Sequence, residues 1–261
     1  MEMELGLKNK TAIITGGSKG IGYSTALHLA KEGANVAIFA RDEAYLEKAA
    51  NRIKEETGRD VFYLAKDVTK KEDCYSLVEE TAKHFNGIDI LINNAGTSMA
   101  FPFEEFESDV WETDLDLKLF AAIHCSKAAL PYLKKQGGAI VNVTASMAKT
   151  PGASSMPTSV SRAAGMAFTK ALSKEVGKYG IRVNTVCIGL IRSDQIEKKW
   201  KRLYPDLSWE QFSRLEEHQV PLGRIGETEE AAKVITFLVS DAASYISGTS
   251  INIDGGRAGT L

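Results

Sequence analysis

The chain has 261 residues, 44% of them hydrophobic and 25% charged, with a net charge of -2. This composition is typical of soluble globular proteins, and the near-neutral balance excludes a strong general attraction to nucleic acid or to an anionic membrane surface. No apolar run approaches the roughly 18 residues of a membrane span, and the N-terminus lacks the apolar stretch of a signal peptide. The three cysteines are widely spaced, which predicts free thiols in a reducing cytoplasm.

Apolar strands and amphipathic helices alternate along the chain. The pattern predicts strands at residues 11–15, 36–39, 61–65, 88–93, 138–143, 182–187 and 250–253. It predicts helices at residues 23–31, 42–57, 71–85, 111–134, 161–179 and 228–240. Strands separated by helices indicate a parallel sheet covered on both faces. Since there is no Pro/Gly-rich linker and no internal repeat, we expect one α/β domain over residues 1–261.

Residues 194–220 interrupt this alternation. The segment carries four aromatic residues among many charges, namely Trp200, Tyr204, Trp209 and Phe212. We interpret it as an inserted lid over a substrate site. The alternative is that these aromatic rings pack onto the core or onto a neighbouring subunit.

A glycine-rich turn follows the first strand and opens the first helix. Residues 15–22 read Thr-Gly-Gly-Ser-Lys-Gly-Ile-Gly. Glycines let the backbone turn tightly and approach a pyrophosphate, and the helix N-terminus offers unpaired N–H groups and the positive end of the helix dipole. A plain tight turn is the alternative, but the strand–turn–helix context favours a dinucleotide site.

The spacing Thr-Gly-x-x-x-Gly-x-Gly recurs in a known family, as does Asn93-Asn94-Ala95-Gly96 after the fourth strand. Together with the closing segment at residues 251–256, these motifs resemble the short-chain dehydrogenase/reductase family over nearly the whole sequence. The resemblance is strongest to 3-oxoacyl-carrier-protein reductases. It implies a single-domain Rossmann fold, a doubly wound parallel sheet of seven strands with helices on both faces, assembled as a tetramer or dimer.

The resemblance also implies which residues contact the cofactor. They are Gly16, Ser18, Lys19, Gly20, Ile21, Gly22, Asp67, Val68, Asn94, Ala95, Gly96, Arg162, Gly189 and Ile191. The second strand ends Phe39-Ala40-Arg41, without the acid that holds the ribose 2′-OH of NAD. Lys19 and Arg41 suit a 2′-phosphate, so we predict NADP(H). Asp42 is a competing signal for NAD(H). The alternative to a phosphate site is that Lys19 and Arg41 are ordinary solvated surface cations.

The family's catalytic tetrad of Asn, Ser, Tyr and Lys is altered in this chain. Local register places Lys118 at the asparagine position, Thr158 at the tyrosine position and Arg162 at the lysine position. Counting back thirteen residues from Thr158 reaches Ala145, and a shift of one residue brings Ser146 to the serine position. The Tyr-x-x-x-Lys motif is therefore absent, and the predicted catalytic group is Lys118, Ser146, Thr158 and Arg162.

These replacements change the proton chemistry. A threonine hydroxyl is far less acidic than a phenol of pKa ~10, and an arginine does not release a proton at neutral pH. Burial and the neighbouring Arg162 charge would lower the pKa of Lys118. Among the residues that replace the tetrad, Lys118 is therefore the one able to exchange protons. The alternative is that Lys118 is a surface lysine on an interface helix.

Three functions are compatible with this pattern. The favoured one is an NADP(H)-dependent oxidoreductase of the short-chain dehydrogenase type, with a non-standard active site acting on a carbonyl or hydroxyl substrate. The second is a lyase or isomerase of the same fold, in which Lys118 and Arg162 stabilise an anion. The third is a non-catalytic NADP(H)-binding partner protein.

The remaining expectations concern ligands and assembly. The two cations favour a small-molecule substrate that is anionic, and the cysteines and histidines form no metal-binding pattern. We expect no nucleic-acid or membrane partner. The predicted helices at 111–134 and 161–179 carry more apolar residues than one sheet face needs, which indicates a homo-oligomer, as in the family. These apolar residues are Phe120, Ile123, Met166, Phe168 and Leu172.

Overall fold

The structure is a computed structural model that describes residues 4–260 and contains a seven-stranded parallel sheet. Its strands are β1 (Thr11–Thr15), β2 (Asn35–Ala40), β3 (Val61–Ala65), β4 (Ile90–Asn93), β6 (Gly138–Ala145), β8 (Ile181–Ile188) and β9 (Ser250–Ile253). They lie in the order β3-β2-β1-β4-β6-β8-β9, so the strand order reverses between β1 and β4. The predicted doubly wound Rossmann fold is confirmed.

Helices cover both faces of the sheet, and the central strands β1 and β4 are buried on both sides. In β1, Ile13 belongs to one apolar layer and Ile14 to the other, and both are fully buried. Because a parallel sheet is buried on both faces, its strands are continuous apolar runs rather than alternating ones. The longer helices are α1 (Gly20–Lys31), α2 (Glu43–Thr57), α3 (Lys71–Phe85), α5 (Ala121–Gln136), α6 (Thr158–Val176) and α9 (Thr228–Val239).

The segment predicted as a helix at 111–134 is helical throughout, but it is not one regular α-helix. The chain instead forms α4 (Ser108–Leu115), a π-helical turn (Asp116–Phe120) and then α5. Lys118 is the central residue of the π-helical turn. The apolar spacing on either side is helical, so the wider turn leaves no signal in the pattern. Such turns are rare and often lie at functional sites.

A second difference brings residues 99 and 158 together. A short antiparallel ribbon pairs β5 (Ala100–Phe101) with β7 (Met156–Pro157), and the sequence pattern did not predict it. Helix α6 then begins at Thr158 rather than at Ser161. The ribbon therefore places the backbone of Met99 against the first turn of α6.

Residues 194–220 contain two helices, α7 (Asp194–Leu203) and α8 (Trp209–Ser213), and a short turn at Glu216–His218. Their aromatic rings surround the fully buried Phe212, with ring centroids 5.3 Å away for Tyr204 and 5.8 Å for Trp209. The segment thus carries its own small apolar core. Among residues 4–260, no helix has the length and apolar character needed to cross a membrane.

Candidate active site

A cleft of about 480 Å³ lies at the carboxyl ends of the central strands, beside the reversal in strand order. Ligands of open α/β sheets bind at this place. Of the predicted cofactor residues, the cleft is lined by Gly16, Ser18, Lys19, Gly20, Ile21, Asn94, Ala95, Gly96, Arg162, Gly189 and Ile191. Thr158 also lines it. Gly22, Arg41, Asp67 and Val68 are not among the lining residues.

The glycine-rich turn has the backbone shape that a pyrophosphate needs. Gly16 and Gly20 have φ values of +67° and +56°, in the left-handed region that favours glycine. A Cβ on Gly22 would lie 2.2 Å from the carbonyl oxygen of Gly16, so no larger residue fits there. No side chain caps the first N–H groups of α1. The turn therefore offers backbone donors to an anion at the N-terminus of α1.

Asn94 supports the turn from behind. Its Nδ2 donates to the carbonyl oxygens of Thr15, at 2.9 Å, and Gly16, at 3.1 Å. Its backbone N–H donates to Thr15 Oγ1 at 3.0 Å. These contacts fasten the end of β1 to the end of β4, so Asn94 fixes the position of the glycine-rich turn.

The charged side chains beside the expected 2′-phosphate differ in how they are engaged by other residues. Lys19 Nζ lies 3.3 Å from the ring centroid of Tyr45 and 3.4 Å from Asp194 Oδ2. Arg41 is exposed just beyond β2. Asp42, the competing signal for NAD(H), accepts the backbone N–H of Tyr45 at 3.2 Å and caps α2. The carboxylate of Asp42 is therefore engaged at the helix, whereas the Arg41 guanidinium faces solvent.

Asp67 and Val68 follow β3 next to this region. Asp67 Oδ1 accepts from the backbone N–H of Thr69 at 3.1 Å and from its hydroxyl at 2.8 Å. Val68 is buried at 6% exposure. Asp67 thus shapes the turn after β3, which β2 separates from β1 and its glycine-rich turn.

Four polar side chains form a buried charged cluster behind the cleft: Asp114, Lys118, Thr158 and Ser161. Lys118 Nζ donates to Asp114 Oδ1 and, at 2.7 Å, to Thr158 Oγ1. Ser161 donates its hydroxyl hydrogen to the other carboxylate oxygen, Asp114 Oδ2. The side chains of Asp114 and Lys118 are both completely buried, so their charges face each other without water.

The environment of Lys118 changes its acidity. Burial lowers the pKa of Lys118 to about 8, with the Arg162 charge acting in the same direction and the hydrogen bond to Asp114 opposing it. Lys118 is only 5% exposed, so it is not the surface lysine of the alternative interpretation. A lysine of this pKa can release a proton near neutral pH.

The Thr158 hydroxyl is held at the inner wall. It accepts from the backbone N–H of Met99 at 2.8 Å and donates to the Met99 carbonyl at 2.9 Å. With the Lys118 ammonium as a second donor, its one hydrogen and both lone pairs are engaged. Thr158 therefore links Lys118 to the cleft wall.

Arg162 lies at the boundary between the cluster and the cleft. Its guanidinium donates to the Val143 carbonyl, and a Cβ on Gly96 would lie 2.5 Å from its Nη2. Its buried Nε has no hydrogen-bond partner among the described residues. Burial lowers the pKa of Arg162 to about 10, with Asp114 opposing. Arg162 therefore remains a cation at neutral pH.

Ser146 lies one residue beyond β6. The strand ends at Ala145, and Ser146 opens a short helical turn. Ala145 and Thr144 line the cleft, while Ser146 lines an adjoining cavity that shares Met147 with it. The structure thus places Ala145 at the cofactor cleft and Ser146 at the adjoining cavity.

The start of α7 crosses the mouth of the cleft. Asp194 contacts Lys19, and the Gln195 amide exchanges two hydrogen bonds of 3.3 Å with the backbone of Ser98. From residues 194–220, the cleft is lined by Asp194, Gln195 and Ile196. The aromatic residues of the segment stabilise it internally rather than contacting the cleft.

Sequence reasoning missed Asp114 and Ser161. The signal for Asp114 was present, because an acid four residues before Lys118 faces the same side of a helix. Ser161 was assigned only as a helix start, and its contact depends on how α6 packs. Among residues 4–260, no group of three or more His, Cys, Asp or Glu side chains is arranged to hold a metal ion.

Comparison with known proteins agrees with this geometry. A family model described as enoyl-(acyl carrier protein) reductase matches residues 16–258. A 3-oxoacyl-(acyl-carrier-protein) reductase of Chlamydia trachomatis is 37% identical over 255 residues, 97% of this chain and 98% of that protein.

Solved structures are similar over the same length. L-sorbose reductase of Gluconobacter frateurii, complexed with NADPH and L-sorbose, has a TM-score of 0.94 and 35% identity, covering 99% of this chain and 100% of that one. An NADPH-bound short-chain oxidoreductase of Pseudomonas aeruginosa PAO1 that contains an atypical catalytic center has a TM-score of 0.91 and 32% identity, covering 97% and 100%. The chain belongs to the short-chain dehydrogenase/reductase family.

Proposed function

We propose that the protein is an NADP(H)-dependent oxidoreductase that interconverts a carbonyl and a hydroxyl group on a small molecule through a non-standard proton-transfer site. The observation that carries the proposal is the position of the buried charged cluster. Lys118 and Thr158 lie directly behind a cleft that has the form of a dinucleotide site. Bound NADPH would supply the hydride in such a reaction.

The residues present fit the cofactor. The glycine-rich turn offers uncapped N–H groups to the pyrophosphate. Lys19 and Arg41 supply cations for the 2′-phosphate, while Asp42 is engaged as a helix cap. The two NADPH-bound relatives support the same choice.

The cluster supplies a route for the proton. With a pKa of about 8, Lys118 can pass a proton to Thr158 Oγ1, 2.7 Å away. The Thr158 hydrogen, which now points to the Met99 carbonyl, would turn to the substrate oxygen in the same step. Lys118 ends as a neutral amine beside Asp114. Arg162, a cation on the cleft wall, would stabilise the negative charge that develops on the substrate oxygen.

The pairing of Lys118 with Asp114 weakens the lyase or isomerase alternative. That alternative needs two cations facing the same substrate anion. Only Arg162 of the two lines the cleft, since the Lys118 side chain is fully buried against a carboxylate.

The assembly and the lid are parts of the same proposal. Phe103 before α4, Phe120 at the end of the π-helical turn and Val160 on α6 are 68%, 43% and 45% exposed, which supports a homo-oligomer that covers them. Light scattering should find a dimer or tetramer, and a monomer would contradict this.

Residues 194–220 act as a lid whose contacts at Lys19 and Ser98 open and close the cleft.

The proposed function is tested by cofactor titration followed by a substrate screen. NADPH should bind more tightly than NADH, and Arg41→Asp should remove or invert that preference. The screen would follow NADPH oxidation with aldehydes, ketones and oxo acids. Tight NADPH binding without oxidation by any carbonyl compound would refute the proposed reaction.

A further inference from the structure

A second cavity, of about 460 Å³, adjoins the cleft on the side of Ser146. The two share Met147, Ile188, Gly189 and Leu190 in their walls, so a molecule in the second cavity lies next to the cofactor site. Hydroxyl groups of Ser146, Thr150, Ser154 and Ser155 belong to lining residues. A polar cavity of this size suits a small, oxygen-rich molecule.

One residue of the cavity lining carries a charge, and it is Arg257. Its Nε donates to the carbonyl oxygen of His218 at 3.1 Å, which uses one of the five guanidinium donors. In the described part of the chain, Arg257 forms no salt bridge. Arg257, which is exposed, is therefore a cation in the cavity wall with no carboxylate partner among residues 4–260.

The loop that presents Arg257 is built around a neighbouring acid. Asp254 is 8% exposed and accepts the backbone N–H groups of Gly256, at 3.0 Å, and Ala258, at 2.8 Å. The Gly255 carbonyl accepts from the backbone N–H of Leu222 at 3.1 Å. Asp254 is thus committed to the loop backbone, and the loop is fastened to Leu222, two residues beyond the lid segment.

The cation available to bind an anionic substrate is therefore Arg257 rather than the predicted pair of Lys118 and Arg162. The sequence suggested that Lys118 and Arg162 bind an anion, but Lys118 is paired with Asp114 and Arg162 faces the cofactor cleft. Arg257 lies across the adjoining cavity, which also contains Ser146. A guanidinium with its terminal donors unoccupied binds carboxylate and phosphate groups through two parallel hydrogen bonds.

We propose that Arg257 is a specificity-determining residue, and that the substrate is a small oxo acid or phosphorylated carbonyl compound whose oxyanion binds the Arg257 guanidinium while its carbonyl extends into the adjoining cofactor cleft, which Thr158 and Arg162 line. This inference rests on the proposed oxidoreductase function for the role of the carbonyl. The anion subsite itself is a property of the cavity and can be measured without turnover.

The test uses three oxo acids of increasing length, namely pyruvate, acetoacetate and 4-oxopentanoate, each beside its uncharged methyl ester, together with inorganic phosphate. Binding to the full-length protein is measured by calorimetry, with and without NADP⁺. The variants are Arg257→Gln, Arg257→Lys and Arg257→Glu. Arg202→Gln, an exposed arginine on α7 outside the cavity lining, is the control with the same loss of charge.

In the unmodified protein and in Arg202→Gln, we expect at least one oxo acid to bind about tenfold or more tightly than its methyl ester, or phosphate to bind about tenfold or more tightly than it binds Arg257→Gln. Arg257→Gln should abolish that preference, Arg257→Glu should reverse it, and Arg257→Lys should retain part of it. A preference for phosphate alone would identify a phosphorylated substrate. The proposal is overturned if no anion is preferred over its uncharged partner, or if the preference survives in Arg257→Gln. If neither the unmodified protein nor any variant binds NADP⁺, the oxidoreductase function is refuted, while the measurements without NADP⁺ still decide the anion subsite.

Discussion

The cofactor end of the cleft is formed mainly by backbone groups, whereas the end near Lys118 and Thr158 is formed by side chains. The cofactor end consists of backbone N–H groups, glycines and one bracing amide, Asn94. The end that we propose for proton transfer consists of buried side chains whose charges depend on one another, with Asp114 and Lys118 at the centre. A backbone site keeps its function as long as the turn keeps its shape. A side-chain site can acquire new chemistry on an unchanged fold.

In the cluster around Asp114 and Lys118, a single substitution is expected to destabilise the fold more than a paired one. Removing one partner of a buried ion pair leaves an uncompensated charge, which costs about 3–5 kcal/mol, whereas replacing both partners is often neutral. Lys118 therefore requires Asp114, and the carboxylate in turn is held by Ser161. The difference between the two ends predicts how each responds to substitution.

The largest effect is expected for Lys118→Met alone. It leaves the Asp114 carboxylate buried without its partner, so the free energy of unfolding should fall by about 3–5 kcal/mol. Urea denaturation measures this. The paired replacement Asp114→Asn with Lys118→Met should recover most of the loss, and a cost below about 1 kcal/mol for the single change would contradict the buried ion pair.

At the cofactor end, Gly22→Ala should weaken NADPH binding by about tenfold or more, or about 1.4 kcal/mol. The reason is steric, because the added Cβ would meet the Gly16 carbonyl oxygen at 2.2 Å and push the turn out of shape. Gly177→Ala is the matched control, since its Cβ meets no atom within 4 Å and its φ is -56°. Equal NADPH affinity for both variants by fluorescence titration would refute the role of the turn.

The pH dependence of stability should separate the two ends. The pKa of Lys118 is lowered from 10.5 to about 8 in the folded protein, so between these values the unfolded chain binds more protons. Stability should therefore rise with pH over this window, by up to about 1.4 kcal/mol per pH unit. Denaturation at several pH values should show this rise in the unmodified protein relative to the paired Asp114→Asn, Lys118→Met variant. Parallel curves for the two proteins would mean that Lys118 is not perturbed.

The smallest effect is expected at the mouth of the cleft. Asp194 and Lys19 are 59% and 40% exposed in their side chains, so their ion pair contributes less than about 1 kcal/mol to stability. Asp194→Ala should therefore leave the denaturation midpoint nearly unchanged. It should also free Lys19 for the 2′-phosphate and strengthen NADPH binding slightly, and a weaker affinity would place Asp194 among the cofactor contacts.

The sequence predicted the cofactor end of the cleft better than the cluster around Asp114 and Lys118. Strands β1, β3 and β9 and helix α3 were predicted to the residue, because their apolar runs end at Gly, Asn or charged residues. The glycine-rich turn is local, so its spacing alone indicates its shape.

The proton-transfer end depends on contacts between distant segments. Met99 reaches Thr158 only through the β5–β7 ribbon, and two-residue strands carry no periodic signal. The π-helical turn that carries Lys118 is likewise invisible in apolar spacing. For the same reason, the role of Arg257 could not be seen before the C-terminal loop was placed against the cavity.

The central claim is that proton transfer has moved to Lys118 while the cofactor site is unchanged. The most direct measurement is the pH–rate profile of NADPH-dependent reduction of the carbonyl compound found in the screen, for the unmodified protein and the paired Asp114→Asn, Lys118→Met variant. The unmodified rate should fall as pH rises through about 8, because Lys118 loses its proton there. The variant should bind NADPH equally well but react about 10²–10⁴-fold more slowly, without that transition. An unchanged rate and an unchanged profile in the variant would contradict the account.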